Sequence, residues 1–326
     1  MSSWMLMLLS VASSSVSAEV ATSPLAAFAG SQVFVQSDLS LNTLAPGLQL
    51  SPNPSAETAL FFLPRFTFGE DWQLRGRLSL SVEWTNSDVT TTVREPVLSD
   101  TTLQLYYRGL PTLFGIKALV GPQVVLPSSD LSQARTMRFS PGIVAQLSRA
   151  VPLPAGSLLL LSNLSYQRPI YGYTTPGLDQ APSYGPRCRG DLSSCVEQAS
   201  GLANARDLLG WSVVILGQFG DFAPAVTFSA SHQLPFGFTP VPGTVNVEDP
   251  STVRVVTAFS AFVDWSFNDW GTLEVGYNLT RSALGDDGKY GNPFFDRYQD
   301  GRLYLGLNVA LDPFLVGGAE GGVVRQ

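Results

Sequence analysis

The chain has 326 residues, of which 14% are charged and 44% hydrophobic, with a net charge of −7. Soluble domains carry roughly 25% charged residues, and an acidic chain without a basic stripe cannot track phosphates, which excludes a nucleic-acid partner. After the N-terminus no stretch runs the roughly 18 apolar residues of a membrane helix, and one His and two Cys offer little for a metal site or a thiol enzyme, so no cofactor is expected.

Residues 1–18 read as a signal peptide. Trp4–Val11 is a short apolar core, and Val16, Ser17 and Ala18 form a small-residue cleavage site before Glu19. Export implies an oxidising compartment, where Cys188 and Cys195 can pair. The remainder divides into a barrel over 19–312 and a tail over 313–326.

From residue 32 onward the dominant signal is strict alternation. The segment 32–41 places Val33, Val35, Leu39 and Leu41 on one face. In the next, Leu60, Phe62, Pro64, Phe66 and Phe68 alternate with Phe61, Leu63, Arg65 and Thr67. After the turn at 69–71, Trp72, Leu74, Gly76, Leu78, Leu80, Val82 and Trp84 form one face of 72–85; Gln73, Arg75, Arg77, Ser79, Ser81 and Glu83 form the other. Further segments lie at 101–110, 114–126, 137–149, 157–168, 208–219, 223–234, 252–267, 271–283 and 301–312. Period two is the signature of a strand with one apolar face, and about ten residues at that period span a bilayer. The prediction is an all-β chain: a single antiparallel up-and-down transmembrane β-barrel of about 12 strands. Against a soluble β-sandwich with these aromatics in its core, the apolar face recurs on every strand and the opposite face is rich in Gln, Asn, Ser and Arg rather than uniformly buried.

The connections alternate too. Short turns fall at 69–71, 111–113, 150–156, 220–222 and 268–270. Long polar loops fall at 42–56, 86–100, 127–136, 169–207, 235–251 and 284–300, the last carrying Asp286, Asp287, Asp296 and Asp300 and read as a solvated acidic loop. Membrane barrels have short periplasmic turns and long outer loops, so both termini are expected on the periplasmic side. Trp72 and Trp84 stand at the two ends of one strand face, about 40 Å apart at ~3.3 Å per residue. Tilted by roughly 40°, that is about 30 Å of height, close to an apolar band with its interfaces. Trp211, Trp265 and Trp270 also fall near strand ends, where an amphipathic ring is best placed. These residues are the expected aromatic girdle.

This layout resembles the bacterial outer-membrane β-barrel class, and loosely its twelve-stranded small-molecule channels and aromatic-compound transporters. The last strand is similar to the sorting signal read by the barrel-assembly machinery. Tyr304, Gly306, Val309 and Leu311 match a polar-x-Gly-x-x-apolar-x-apolar pattern, although the chain continues to Gln326. The resemblance implies residence in the outer membrane among lipid and lipopolysaccharide, and the assembly machinery as a partner during biogenesis.

Function, on this reading, sits in the lumen. Arg65, Arg75, Arg77, Arg108 and Lys117 fall on the inward parity near the periplasmic ends of consecutive strands. Asp264, Glu274 and Asp312 fall low on the opposite side of the ring. If the two walls stay apart, they set a field across a water-filled constriction that selects solutes by charge. If they meet, Arg–carboxylate pairs close the lumen. The first arrangement is a channel or facilitator for a small solute, and the second a structural or surface-interaction barrel. Phe61, Leu63, Leu119, Leu159, Leu161, Val214, Leu216 and Phe262 also point inward by parity, provided that no bulge at Pro122 or Pro141 reverses the faces. A third reading, an interfacial hydrolase, would have to use His232, the one His of the chain; the adjacent Ser231 points to the other face.

Overall fold

The structure is a computed structural model that describes residues 27–44, 55–85, 94, 96–174, 203–237, 253–284, 289–296 and 300–316. Its strands are β1 (Gln32–Ser40), β2 (Ala56–Leu63), β3 (Arg65–Phe68), β4 (Trp72–Glu83), β5 (Pro96–Leu98), β6 (Thr101–Tyr107), β7 (Lys117–Leu126), β8 (Met137–Leu153), β9 (Gly156–Gln167), β10 (Ile170–Tyr171), β11 (Ala205–Gln218), β12 (Phe222–Pro235), β13 (Arg254–Ser266), β14 (Gly271–Ser282) and β15 (Gly301–Ala310). They form 12 staves of one antiparallel sheet, because β2 and β3, β5 and β6, and β9 and β10 each follow a single course. β1 pairs with β15 from Gln32 opposite Ala310 to Ser40 opposite Arg302, which closes the sheet. Closure leaves no edge, so every backbone group within the wall can be satisfied by a neighbour, as a bilayer interior demands.

The interruptions have chemical causes. Pro64 has no N–H to give the ladder and separates β2 from β3; the register of the stave against β4 is the same on both sides. Gly76, opposite, donates its N–H to the Pro64 carbonyl at 2.8 Å. Pro122 likewise breaks the β6–β7 ladder between Gln104 opposite Gln123 and Tyr107 opposite Val120, without shifting it. The β7–β8 register runs unbroken past Pro122 and Pro141, so no bulge reverses the faces there; the ladder of β8 to β10 shifts between Ile170 and Tyr171, opposite Phe139 and Met137. A one-residue shift does occur between β5 and β6, where Leu80 faces Leu98 but Arg77 faces Thr102. There the Ser99 hydroxyl accepts the Ser79 N–H at 2.9 Å and replaces a ladder bond.

Alternation sorts the wall. Phe61 is 6% exposed while its neighbours Leu60 and Phe62 are each 44% exposed. The same contrast holds for Val214 against Val213 and Ile215, and for Phe262 against Val263. The outward face is a continuous apolar belt, far larger than any patch a soluble monomer exposes, and the protein is a transmembrane β-barrel. Trp72, Trp84, Trp211, Trp265 and Trp270 are all exposed. Trp72 packs on Tyr107, and Trp270 on Phe267 and Phe314. Trp84 Nε1 donates to Thr58 Oγ1 at 2.9 Å.

Short turns and long connections segregate to opposite ends, as the sequence implies. Several boundaries differ. The 86–100 loop contains β5, the 169–207 loop contains β10, and β11 begins at Ala205. The turn placed at 111–113 extends over 108–116, because β6 ends at Tyr107. The 284–300 connection is not simply a solvated acidic loop. Phe294 packs edge-on to Phe259 and Phe295 stacks on Tyr277, laying part of it against the outer wall over a fully buried Leu279. The signal segment 1–18 and the Cys188–Cys195 pair lie outside the described residues.

Candidate lumen site

The inward face holds two kinds of surface. An apolar cluster of Leu161, Val214, Leu216, Ala225, Phe262 and Tyr304 lines the wall from β9 to β15, with Leu159 packed against it. Phe34, Ala59, Phe61 and Leu63 form a second cluster on β1 and β2. Glycine makes room for the rings: a Cβ on Gly276 would lie 2.7 Å from the Tyr304 ring, and one on Gly306 would lie 2.5 Å from that of Phe34.

Polar groups are placed between these clusters. Arg65 and Arg75 face each other across β3 and β4. With Arg77, Leu63, Pro64, Gly76 and Gln104 they line one pocket. Arg75 is held on three sides: Nε donates to Gln73 Oε1 at 2.7 Å, Nη1 donates to Gln146 Oε1 on β8 at 3.1 Å, and the guanidinium lies 4.5 Å over the Tyr106 ring. Arg77 lies 5.6 Å over the Phe61 ring. Arg65 is anchored through its backbone by Ser31, whose hydroxyl accepts its N–H at 2.9 Å. Its buried Nε and Nη2 have no hydrogen-bond partner. Arg108 and Lys117 do not line this pocket and are exposed at the short-turn end of the barrel.

The acids are divided. Asp264 and Glu274 are cross-strand partners on β13 and β14, and the Tyr304 hydroxyl donates to Glu274 Oε1. Asp312 does not join them. The last strand stops at Ala310, and Asp312 opens a short helix, Asp312–Val316, where its Oδ1 accepts the Gly30 N–H at 2.6 Å. It therefore belongs to the seam near Arg65 rather than to an opposing acidic wall. Among the described residues, neither Arg65 nor Arg75 is ion-paired with Asp264 or Glu274. An ion pair does form nearer the loop end of the lumen, where Arg302 Nη1 meets Glu57 Oε2 at 2.9 Å. Beside it Asp38 accepts from Gln36 and from Asn278.

Gln104, Tyr106, Gln146, Asp38, Glu57 and Arg302 join the lumen residues singled out in the sequence. All have the inward parity, so alternation could have flagged them; their partnerships depend on which strands meet. Tyr304, read as part of a sorting signal, is also a lumen residue bonded to Glu274. Of its companions in that pattern, Gly306 points inward, Val309 lies on the exterior parity of β15, and Leu311 lies just beyond the strand, donating its N–H to Ser31. His232 points outward, where its Nε2 accepts from Trp211 Nε1 at 3.4 Å. Ser231 faces the lumen, so these two residues form no hydrolytic pair.

No protein-family model and no curated sequence matches this chain. Solved structures with similarity include the NanC porin (11% identity, TM-score 0.46, covering 86% of this chain and 100% of that one). An outer-membrane channel of Pseudomonas putida F1 aligns at 13% identity and a TM-score of 0.44, over 86% of this chain and 94% of that one. LpxR from Salmonella typhimurium aligns at 9% identity and 0.39, over 85% and 98%. Proteins of such different names share the strand arrangement at most.

Proposed function

We propose that this barrel is an outer-membrane channel or facilitator that passes a small solute through a charged lumen, its short turns and both termini in the periplasm. The observation that carries this reading is the separation of charge: Arg65 and Arg75 on β3 and β4 make no ion pair with Asp264 or Glu274 on β13 and β14. Fixed charge of one sign on one wall favours solutes of the other sign. Closure by ion pairs between the two walls, the basis of the structural-barrel reading, lacks this support.

The test is conductance of the purified full chain in planar bilayers. Discrete steps with anion preference are expected, and Arg75→Glu should move the reversal potential toward cation preference. A folded barrel that never conducts, even with loop 169–207 shortened, overturns the proposal and favours a structural barrel whose outer loops act. In the membrane, lipopolysaccharide would surround the belt, and the barrel-assembly machinery would read β15 during insertion.

A further inference from the structure

We infer that Arg168, Arg206 and Asp207, on the outer wall at the loop end of the barrel, form a clamp for the phosphate of an outer-leaflet glycolipid of the lipid A kind. This rests on the channel reading for orientation alone, with the long loops on the outer side.

The first argument is that the strand is bent to build the group. Neighbours on a regular strand point to opposite faces, so Arg206 and Asp207 are not expected to meet. The β11–β12 register shifts between Ala205, opposite Pro235, and Asp207, opposite Leu234, and such a bulge re-aims a side chain. Arg206 Nε donates to Asp207 Oδ2 at 2.6 Å. Asp207 Oδ1 accepts from the Tyr166 hydroxyl at 2.8 Å and from Arg168 Nη1 at 3.3 Å.

The second argument is charge. Two guanidinium groups share one carboxylate, so the trio keeps a net positive charge. The Asp207 side chain is 12% exposed, whereas those of Arg168 and Arg206 are 59% and 45% exposed. The acid is the covered brace, and the arginines present the rest of their N–H groups outward. Exposed ion pairs add little to stability; what the bulge secures is a fixed pair of planar forks, which match phosphate oxygens bidentately.

The third argument is depth. Ile143, Tyr166, Leu209 and His232 form one exterior row across β8, β9, β11 and β12. Two residues toward the midplane stand the exposed Leu164 and Trp211; two residues the other way stand Arg168 and Asp207. The wall therefore passes from apolar through amphipathic to cationic. Asp207 is eight residues from Ile215, which lies midway between Trp211 and Phe219. At ~3.3 Å per residue and a tilt of roughly 40° that is about 20 Å of height, the outer part of the headgroup layer in a membrane about 40–45 Å thick. A lipid phosphate held there can lay its acyl chains on Leu164, Leu209 and Trp211. A free anion gains nothing from those surfaces.

The experiment is native mass spectrometry of the full chain in detergent micelles, which counts bound lipids. The probes are bisphosphorylated lipid A, the same lipid with both phosphates removed, phosphatidylglycerol, and inorganic phosphate as a competitor. Lipid A is expected to bind saturably, at least ~10-fold tighter than its dephosphorylated form and tighter than phosphatidylglycerol, and inorganic phosphate should displace it no better than chloride at equal ionic strength. Arg168→Gln and Arg206→Gln should each weaken lipid A by ~5-fold and together by ~25-fold; lysine at both positions, which keeps the charge but not the forks, should fall between the double variant and the unaltered protein. Arg138→Gln, at an exposed arginine on the lumen parity of β8 at the same end, should leave binding unchanged. Folding of each variant is verified by heat-modifiable electrophoretic mobility; if the double variant does not fold, the single variants and the probe comparison on the unaltered protein decide. Equal binding of the two lipid A forms, displacement by free phosphate, a preference for phosphatidylglycerol, or unchanged affinity in folded Arg168 and Arg206 variants overturns the inference. Conductance without the lipid A preference sinks the clamp and leaves the channel; the lipid A preference without conductance does the reverse.

Discussion

Ile215 offers the sharpest test of which face meets lipid. It lies on the exterior of β11, four residues from Trp211 and four from Phe219, both exposed aromatics. Four residues at ~3.3 Å, tilted by roughly 40°, place it about 10 Å in height from each. With an apolar band about 25 Å tall, Ile215 is close to the midplane. Arginine there is expected to cost about 2–4 kcal/mol, falling to about 0–1 kcal/mol near an interface. Ile215→Arg should therefore shift the unfolding equilibrium by roughly 30- to 900-fold, while Leu209→Arg, beyond Trp211 toward the loop end and also exposed, shifts it by no more than about fivefold. The assay is reversible denaturant unfolding in phospholipid vesicles, followed by tryptophan emission, with Val213→Arg as the intermediate depth. Equal costs at 209, 213 and 215, or no cost at 215, would refute the assignment of this face to a bilayer of this thickness.

Two further expectations follow from the geometry. Gly276→Val must displace Phe262 or Tyr304, because even a Cβ at 276 would lie 2.6 Å from Phe262 Cβ; a cost of about 1–3 kcal/mol is expected from overpacking, against less for Val275→Ala on the lipid face, read in the same unfolding assay. At the loop end, burial and the neighbouring Asp296 push the Asp300 carboxyl above the usual range, with Arg281 and Arg302 opposing. An acid whose pKa is raised by folding releases its proton first in the unfolded chain, so stability falls as pH rises through the ordinary aspartate range toward the folded value. Asp300→Asn should therefore stabilise the protein slightly near neutral pH and have no such effect below the ordinary aspartate pKa; greater stabilisation on the acid side would contradict the sign.

Most of the architecture was legible because period-two alternation needs no knowledge of neighbours. Even the short β1 was visible through Val33, Val35 and Leu39, and Phe61, Leu161, Val214 and Phe262 were placed inside by parity alone. Small deviations escaped because they depend on pairing. The shift between β5 and β6 is created by Ser99 replacing a ladder bond, and Phe294 and Phe295 lie on the wall because rings on β12, β13 and β14 receive them. Asp312 was misjudged because a strand end is set by where its partner stops, and β1 begins at Gln32 opposite Ala310.

The candidate site divides along the same line. That Arg65, Arg75 and Arg77 face inward at similar depth is a property of the sequence, since a side chain's face follows from counting along the strand. That Arg75 reaches Gln146, that Glu274 is bonded to Tyr304, and that Arg302 meets Glu57 were decided only by the closed barrel. Those partners are 71, 30 and 245 residues apart in the chain. Closure, register and stave order alone bring them within hydrogen-bonding distance.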